Sequence, residues 1–143
     1  MTARTVADIM TRELITVDIT DSAEQAARLM LDNATGDVVV TDSGRMAGIL
    51  TDRDIAVRLV AEGLDSTTRV GEIVMKGVVS CPPDTALADA VRMMKQHDIR
   101  RLPVVEGGTA VGIISLGDLA LLTDTGELLA DISSAPDSET GQA

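Results

Sequence analysis

Two stretches of this 143-residue chain repeat one another at a fixed distance. Gly48-Ile-Leu-Thr-Asp-Arg-Asp54 returns as Gly112-Ile-Ile-Ser-Leu-Gly-Asp118, displaced by 64 positions. The same displacement superposes Val6 on Val70, Ile9 on Ile73, Ala26 on Ala90, Met30 on Met94 and Val40 on Val104. No gap is needed from residue 6 to residue 119, so the chain is a duplication and must fold as two similar halves.

Each half reads as the same succession of elements. A helical turn (Val6–Met10; Val70–Val74) leads into an apolar strand at Leu14–Val17 or Val78–Cys81. Apolar residues at helical spacing follow: Ala23, Ala26, Ala27, Met30 and Ala34, then Leu87, Ala90, Val91 and Met94 in the second copy. Asp21 and Glu24 have capping-box spacing at the first of these helices. Strands at Asp37–Thr41 and Met46–Leu50 flank a hairpin turn, with counterparts at Arg101–Val105 and Ala110–Ile114. Pro103 cannot donate a ladder hydrogen bond, which places its strand at an edge or makes it begin irregularly. Helices at Asp52–Glu62 and Leu116–Leu122 close the copies, and Gly63 suits the C-terminal cap of the first. A copy of roughly 50 residues buries too little surface to stand alone, so each half needs the other as cover.

The boundaries follow: repeat one at 5–63, a linker at 64–69, repeat two at 70–123 and an acidic tail at 124–143. That tail contains five acidic residues and no Lys or Arg, and small polar residues mark it as flexible. Formal net charge is −11, which disfavours phosphate backbones and anionic lipid, so neither nucleic acid nor membrane is expected as a partner. Phe, Tyr and Trp are all absent. The core must be aliphatic, with seven Met residues filling irregular gaps, and a bound base would lie between aliphatic groups. A single cysteine and the lack of an apolar leader point to a reducing, cytoplasmic setting.

Catalysis lacks an inventory. His97, the only histidine, sits at a helix end; there is no His/Cys cluster for zinc, no phosphate-binding Gly-rich loop and no nucleophile with a base partner. The expectation is no enzyme, no catalytic residue and no metal. Thr51-x-x-Asp54 and Ser115-x-x-Asp118 remain as the sharpest candidates. A carboxylate at a helix start can accept both hydroxyls of a ribose, and the preceding hydroxyl can meet a phosphate or ribose oxygen there. The same spacing is also that of a helix cap whose side chains satisfy orphan amides.

The two Gly-Ile-(Leu/Ile)-(Thr/Ser) signatures, the segment His97-Asp-Ile-Arg-Arg-Leu-Pro-Val-Val105 and the openings Val6-Ala-Asp-Ile-Met10 and Val70-Gly-Glu-Ile-Val-Met75 resemble CBS domains over residues 5–122. The resemblance implies an α+β fold of two βαββα repeats packed with pseudo-twofold symmetry as a Bateman module, with small mixed sheets flanked by helices. It also implies a homodimer and a regulatory role that needs no cofactor. Adenosine compounds (AMP, ADP, ATP or S-adenosylmethionine) are the implied ligands, in clefts between the repeats, with an unknown protein as a further partner.

Carried onto this sequence, the family pattern assigns ribose to Asp54 and Asp118, with Thr51 and Ser115 assisting. Arg100 and Arg101 are assigned to phosphate, and Thr16, Val17, Ser80 and Cys81 to the edge of the purine pocket. The first repeat departs from the pattern, having Gly36 and Asp37 where the second has the two arginines. The two sites are therefore expected to be unequal. The competing reading is a ligand-free interaction or scaffold protein whose Thr/Ser-x-x-Asp motifs are caps alone.

Overall fold

The structure is a computed structural model that describes residues 4–75 and 77–123, with residues 120–123 described by their backbone only. The expected tail at 124–143 lies outside the described residues. Strand β1 (Thr16–Asp18) is followed by helix α1 (Ala23–Asp32), strands β2 (Asp37–Asp42) and β3 (Arg45–Thr51), and the helical turn α2 (Asp52–Asp54). The second copy supplies helix α3 (Leu87–His97), strands β4 (Arg101–Glu106) and β5 (Thr109–Ser115), and helix α4 (Leu116–Thr123). Short 3₁₀ turns, Val6–Asp8 and Val70–Glu72, open the copies. The α+β class and the order of elements are those the repeat pattern implies.

The chain divides into two compact units, and they are not the two sequence repeats. One unit contains residues 4–12, 79–106 and 111–123; the other contains residues 13–75, 77–78 and the hairpin residues Gly107–Ala110. The opening turn of each repeat thus belongs to the unit built from the body of the other. In the first unit Val6 and Met10 pack with Leu87, Ala90, Met94, Leu102, Val104 and Ile114. In the second, Val70, Ile73 and Val74 pack with the matching Ala23, Ala26, Met30, Val38, Val40 and Leu50.

Hydrogen bonds repeat the exchange: Val6 N–H donates to Thr85 O at 2.9 Å, and Val70 N–H donates to Asp21 O at 2.8 Å. The signature glycines make room for it. A Cβ on Gly48 would lie 2.8 Å from Met75 O, and one on Gly112 would lie 2.7 Å from Met10 Cγ.

In the three-stranded sheet, β2 is central, parallel to β1 and antiparallel to β3, with an irregularity between Val40 and Thr41. Ser43 (φ 54°) and Gly44 (φ 80°) turn the first hairpin, and Gly107 (φ 60°) and Gly108 (φ 84°) turn the second. Both central residues have positive φ, the turn whose twist matches that of paired strands.

Three local expectations change. The capping box of α1 is Ser22 with Gln25, not Asp21 with Glu24: Gln25 N–H donates to Ser22 Oγ at 3.1 Å and Ser22 N–H to Gln25 Oε1 at 2.8 Å. The Asp21 carboxylate instead accepts the Asp18 amide at 3.0 Å, so the helix starts one residue later. The strand expected at Val78–Cys81 shrinks to a single parallel bridge, Cys81 with Val104. In the first copy Val39 N–H donates to Ile15 O at 2.8 Å. Its counterpart is Pro103, which has no N–H, so the matching bond to Val79 cannot form.

Finally, the closing helix of the first copy is α-helical only over Asp52–Asp54 and widens to a π-helix at Ile55–Val60. It ends as expected at Gly63 (φ 73°): Gly63 N–H donates to Val60 O and Leu64 N–H to Leu59 O, the paired bonds of a Schellman motif.

Because backbone stands opposite Gly48, G48A must displace it. It is expected to lower unfolding stability by about 1–3 kcal/mol in urea titrations, whereas alanine at an exposed polar position such as Thr67 should leave the core intact. Acid sensitivity follows from the turns. The Asp18 carboxyl sits below the ordinary 3.8 because Thr20 donates to it from its hydroxyl and its amide, and Asp65 does so through the Thr67 amide and hydroxyl. These groups ionise more readily in the folded chain than in the unfolded one. Their contribution is complete well above pH 3.8 and is lost as pH falls through the lowered values. Between about pH 5 and pH 3, the urea midpoint of D18N should fall less than that of the parent chain.

Candidate functional site

Both Thr/Ser-x-x-Asp motifs stand where the last strand of a hairpin becomes a helix. Thr51 ends β3 and precedes α2, and Ser115 ends β5 and precedes α4. In each, two reciprocal hydrogen bonds fix the side chains. Thr51 N–H donates to Asp54 Oδ2 at 2.9 Å and Asp54 N–H to Thr51 Oγ1 at 3.0 Å. Ser115 N–H donates to Asp118 Oδ2 at 3.1 Å and Asp118 N–H to Ser115 Oγ at 3.1 Å. All four residues are half-buried. The cap geometry is therefore present twice, and it holds one carboxylate oxygen of each Asp at the amides.

Asp54 and Asp118 differ in their second oxygen. Arg58 Nε lies 3.8 Å from Asp54 Oδ1, one helical turn on, with the Asp side chain 20% exposed. The residue 64 positions after Arg58 is Leu122, so Asp118 has no such cation on its own helix. Spacing of i, i+4 between Asp54 and Arg58 is an ion-pair signal readable in the sequence.

Arg100 reaches the second motif through its backbone carbonyl. Helix α3 ends at His97, Asp98 takes the left-handed conformation (φ 52°), and Ile99 N–H returns to Met94 O at 3.0 Å. That turn delivers Arg100, whose carbonyl accepts the Leu116 amide at 3.1 Å, immediately after Ser115. Ala34 (φ 50°) makes the same turn in the first copy, and there Gly36 O accepts the Asp52 amide at 2.9 Å. Arg100 and Arg101 are exposed, and Arg101, like Asp37, is engaged in an interaction of its own.

The remaining candidates divide by face. Thr16 pairs with Val39 and Thr51 pairs with Asp37 on opposite sides of β2, so these four residues share one face of the sheet. Val17, Val38, Val40 and Leu50 point the other way, into the core. Thr16 and Ser80 are exposed, while Val17 (3%) and Cys81 (2%) are core residues with backbone groups in strand pairing. Burial raises the Cys81 thiol above its ordinary value, only partly offset by a hydrogen bond with Thr85, which makes it a poor nucleophile. Val39 (3%) is buried although it lies on the face away from the core cluster, a feature that strict strand alternation had left unnoticed. Among the described residues no group of three His, Cys, Asp or Glu is placed to hold a metal, and no helix is long and apolar enough to cross a membrane.

The CBS domain model matches residues 6–61 and 70–122. The chain belongs to the CBS domain family. It is 44% identical to the CBS domain-containing protein YhcV of Bacillus subtilis over 116 residues, 81% of this chain and 83% of that one. Its fold is similar to that of a putative signal-transduction protein with CBS domains from Burkholderia ambifaria, at a TM-score of 0.77 and 34% identity, covering 86% of this chain and 96% of the other. A further similar structure is the CBS domain pair of protein MJ0100 in complex with 5′-methylthioadenosine and S-adenosyl-L-methionine. There the TM-score is 0.76 and the identity 25%, over 86% of this chain and 98% of that one. As a tandem CBS pair, the chain is a regulatory module.

Removing either cap hydroxyl, in T51A or S115A, leaves an amide without its side-chain acceptor. Each is expected to cost about 1 kcal/mol of unfolding stability, read by thermal or urea denaturation.

Proposed function

We propose that this CBS pair is a non-catalytic sensor of an adenosine-containing ligand, with AMP, ADP and ATP the first candidates and S-adenosylmethionine a further one. Asp118 and Asp54 hold the ribose hydroxyls, Ser115 and Thr51 assist, and Arg100 and Arg101 meet phosphate. Thr16, Val17, Ser80 and Cys81 line the approach of the base through exposed side chains and backbone. Ligand binding biases a homodimer toward a form that an unidentified protein partner reads, since a ligand shifts states only through unequal affinity for them.

The observation that carries this reading is the placement of the second motif: Arg100 is tied by its carbonyl to Leu116, beside a half-buried Asp118 with no cation on its own helix. A carboxylate acceptor and an exposed arginine on adjoining segments suit a diol joined to a phosphate. The bound adenosyl compounds of the MJ0100 pair support the ligand class.

A scaffold reading is favoured by the completed cap at both motifs, which explains those side chains without a ligand. D118N separates the two. Its amide oxygen still accepts the Ser115 N–H, so stability should change by less than about 1 kcal/mol. As a sensor, D118N loses at least about tenfold in affinity for AMP by isothermal titration, the effect of roughly 1.4 kcal/mol in ribose hydrogen bonding. If the parent chain is silent toward AMP, ATP and S-adenosylmethionine at millimolar concentration, the scaffold reading stands instead.

A further inference from the structure

The two motifs are closed by the same backbone bond between differently charged residues. Asp52 N–H donates to Gly36 O at 2.9 Å in the first, and Leu116 N–H donates to Arg100 O at 3.1 Å in the second. Each bond ties the strand entry to the residue directly after Thr51 or Ser115. At these matched positions the first copy has glycine and an acid, and the second has a base and leucine. The acid lies over the glycine: a Cβ on Gly36 would stand 3.1 Å from Asp52 Oδ2. Asp52 and Arg100 are both exposed, so an arriving ligand meets their charge directly. Asp37 and Arg101 add a contrast of the same sign, but each has an interaction of its own and neither is needed here. Arg58 stands 3.8 Å from Asp54 and so is directed at that carboxylate rather than at Asp52.

We propose that Arg100 and Asp52 set the charge of the ligand each motif accepts. The second motif takes an adenosine compound that carries phosphate. The first takes an adenosine compound without phosphate, a thioether or sulfonium nucleoside. This deepens the sensor reading and rests on adenosine binding at these motifs. A phosphate beside Asp52 meets a like charge that the exposed neighbouring Arg53 offsets only in part, with no arginine at position 36, whereas beside Arg100 it meets a guanidinium with no acid at position 116. A neutral thioether nucleoside avoids the repulsion, and a sulfonium is attracted.

Isothermal titration of the full chain with AMP and, separately, with 5′-methylthioadenosine tests this. AMP should bind at one site per chain, with affinity that falls as salt rises, while 5′-methylthioadenosine affinity should be nearly insensitive to salt. R100G should weaken AMP by roughly tenfold or more without weakening 5′-methylthioadenosine, and R100K should recover part of the loss. D52L should admit a second AMP per chain. The idea is overturned if AMP fills two equal sites in the parent chain, or if R100G leaves its affinity and salt dependence unchanged. Should R100G melt early, the salt dependence of AMP and the stoichiometry in D52L decide the matter. Both compounds binding with no regard to charge sinks this inference alone; neither binding at all removes the adenosine reading with it.

Discussion

Tertiary order in this chain depends on an exchange of short segments. The turn at Val6–Asp8 is buried in a unit otherwise made from the second repeat, and the turn at Val70–Glu72 in a unit otherwise made from the first. Val6 and Val70 are both fully buried, which removes apolar surface that the remainder of each unit would otherwise leave open to water. The Gly48 and Gly112 positions are the steric condition for it, since a methyl group at either would occupy the space of the incoming segment. A glycine in the signature is thus kept by close approach and not by backbone conformation, for neither has a positive φ.

This arrangement also explains where the candidate ligand residues sit. The hairpin strands that present Gly48 and Gly112 run on to Thr51 and Ser115, so the segment of chain that locks the core also places the motif. Helix α2 or α4 then begins at once, with the Asp held by a bond to the amide of Thr51 or Ser115. Capping, and the ligand recognition proposed for these residues, both call on a short oxygen acceptor, the first for the unpaired N–H donors of a helix start and the second for hydroxyl donors. The cap rigidifies the carboxylate, and a rigid acceptor loses less entropy when a ligand hydroxyl binds it.

Duplication leaves the scaffold almost unchanged while letting the surroundings of each motif diverge. Core positions match residue for residue, as in Val38 with Leu102 and Leu50 with Ile114. Around the motifs, residues that touch solvent diverge: Gly36 against Arg100 and Asp52 against Leu116. Two substitutions do have a backbone consequence: Pro103 in place of Val39 deletes the donor that would extend strand pairing to Val79, and Pro83 in place of Ile19 deletes the counterpart of the Ile19 bond to Thr41 O. Between those two missing N–H groups the first strand of the second repeat is shortened to the Cys81 bridge.

Sequence periodicity sufficed for the repeat, the order of strands and helices, the two hairpins and the Thr51/Asp54 and Ser115/Asp118 motifs, because each rests on residues near one another in the chain. It also carried the Gly63 cap and the missing Pro103 donor, but the cost of that donor falls on the expected Val78–Cys81 strand and not on β4. The start of α1 was misplaced by one residue, since Asp21 and Ser22 both have capping side chains and only the Asp18 amide decides which is occupied. Which half each opening turn belongs to, and the bond that brings Arg100 to the second motif, were settled by tertiary packing. The hydrogen bonds concerned join residues 16 to 79 positions apart; for the opening turns a 64-residue repeat leaves two equivalent partners, and burial in a shared core, which no local pattern encodes, selects between them.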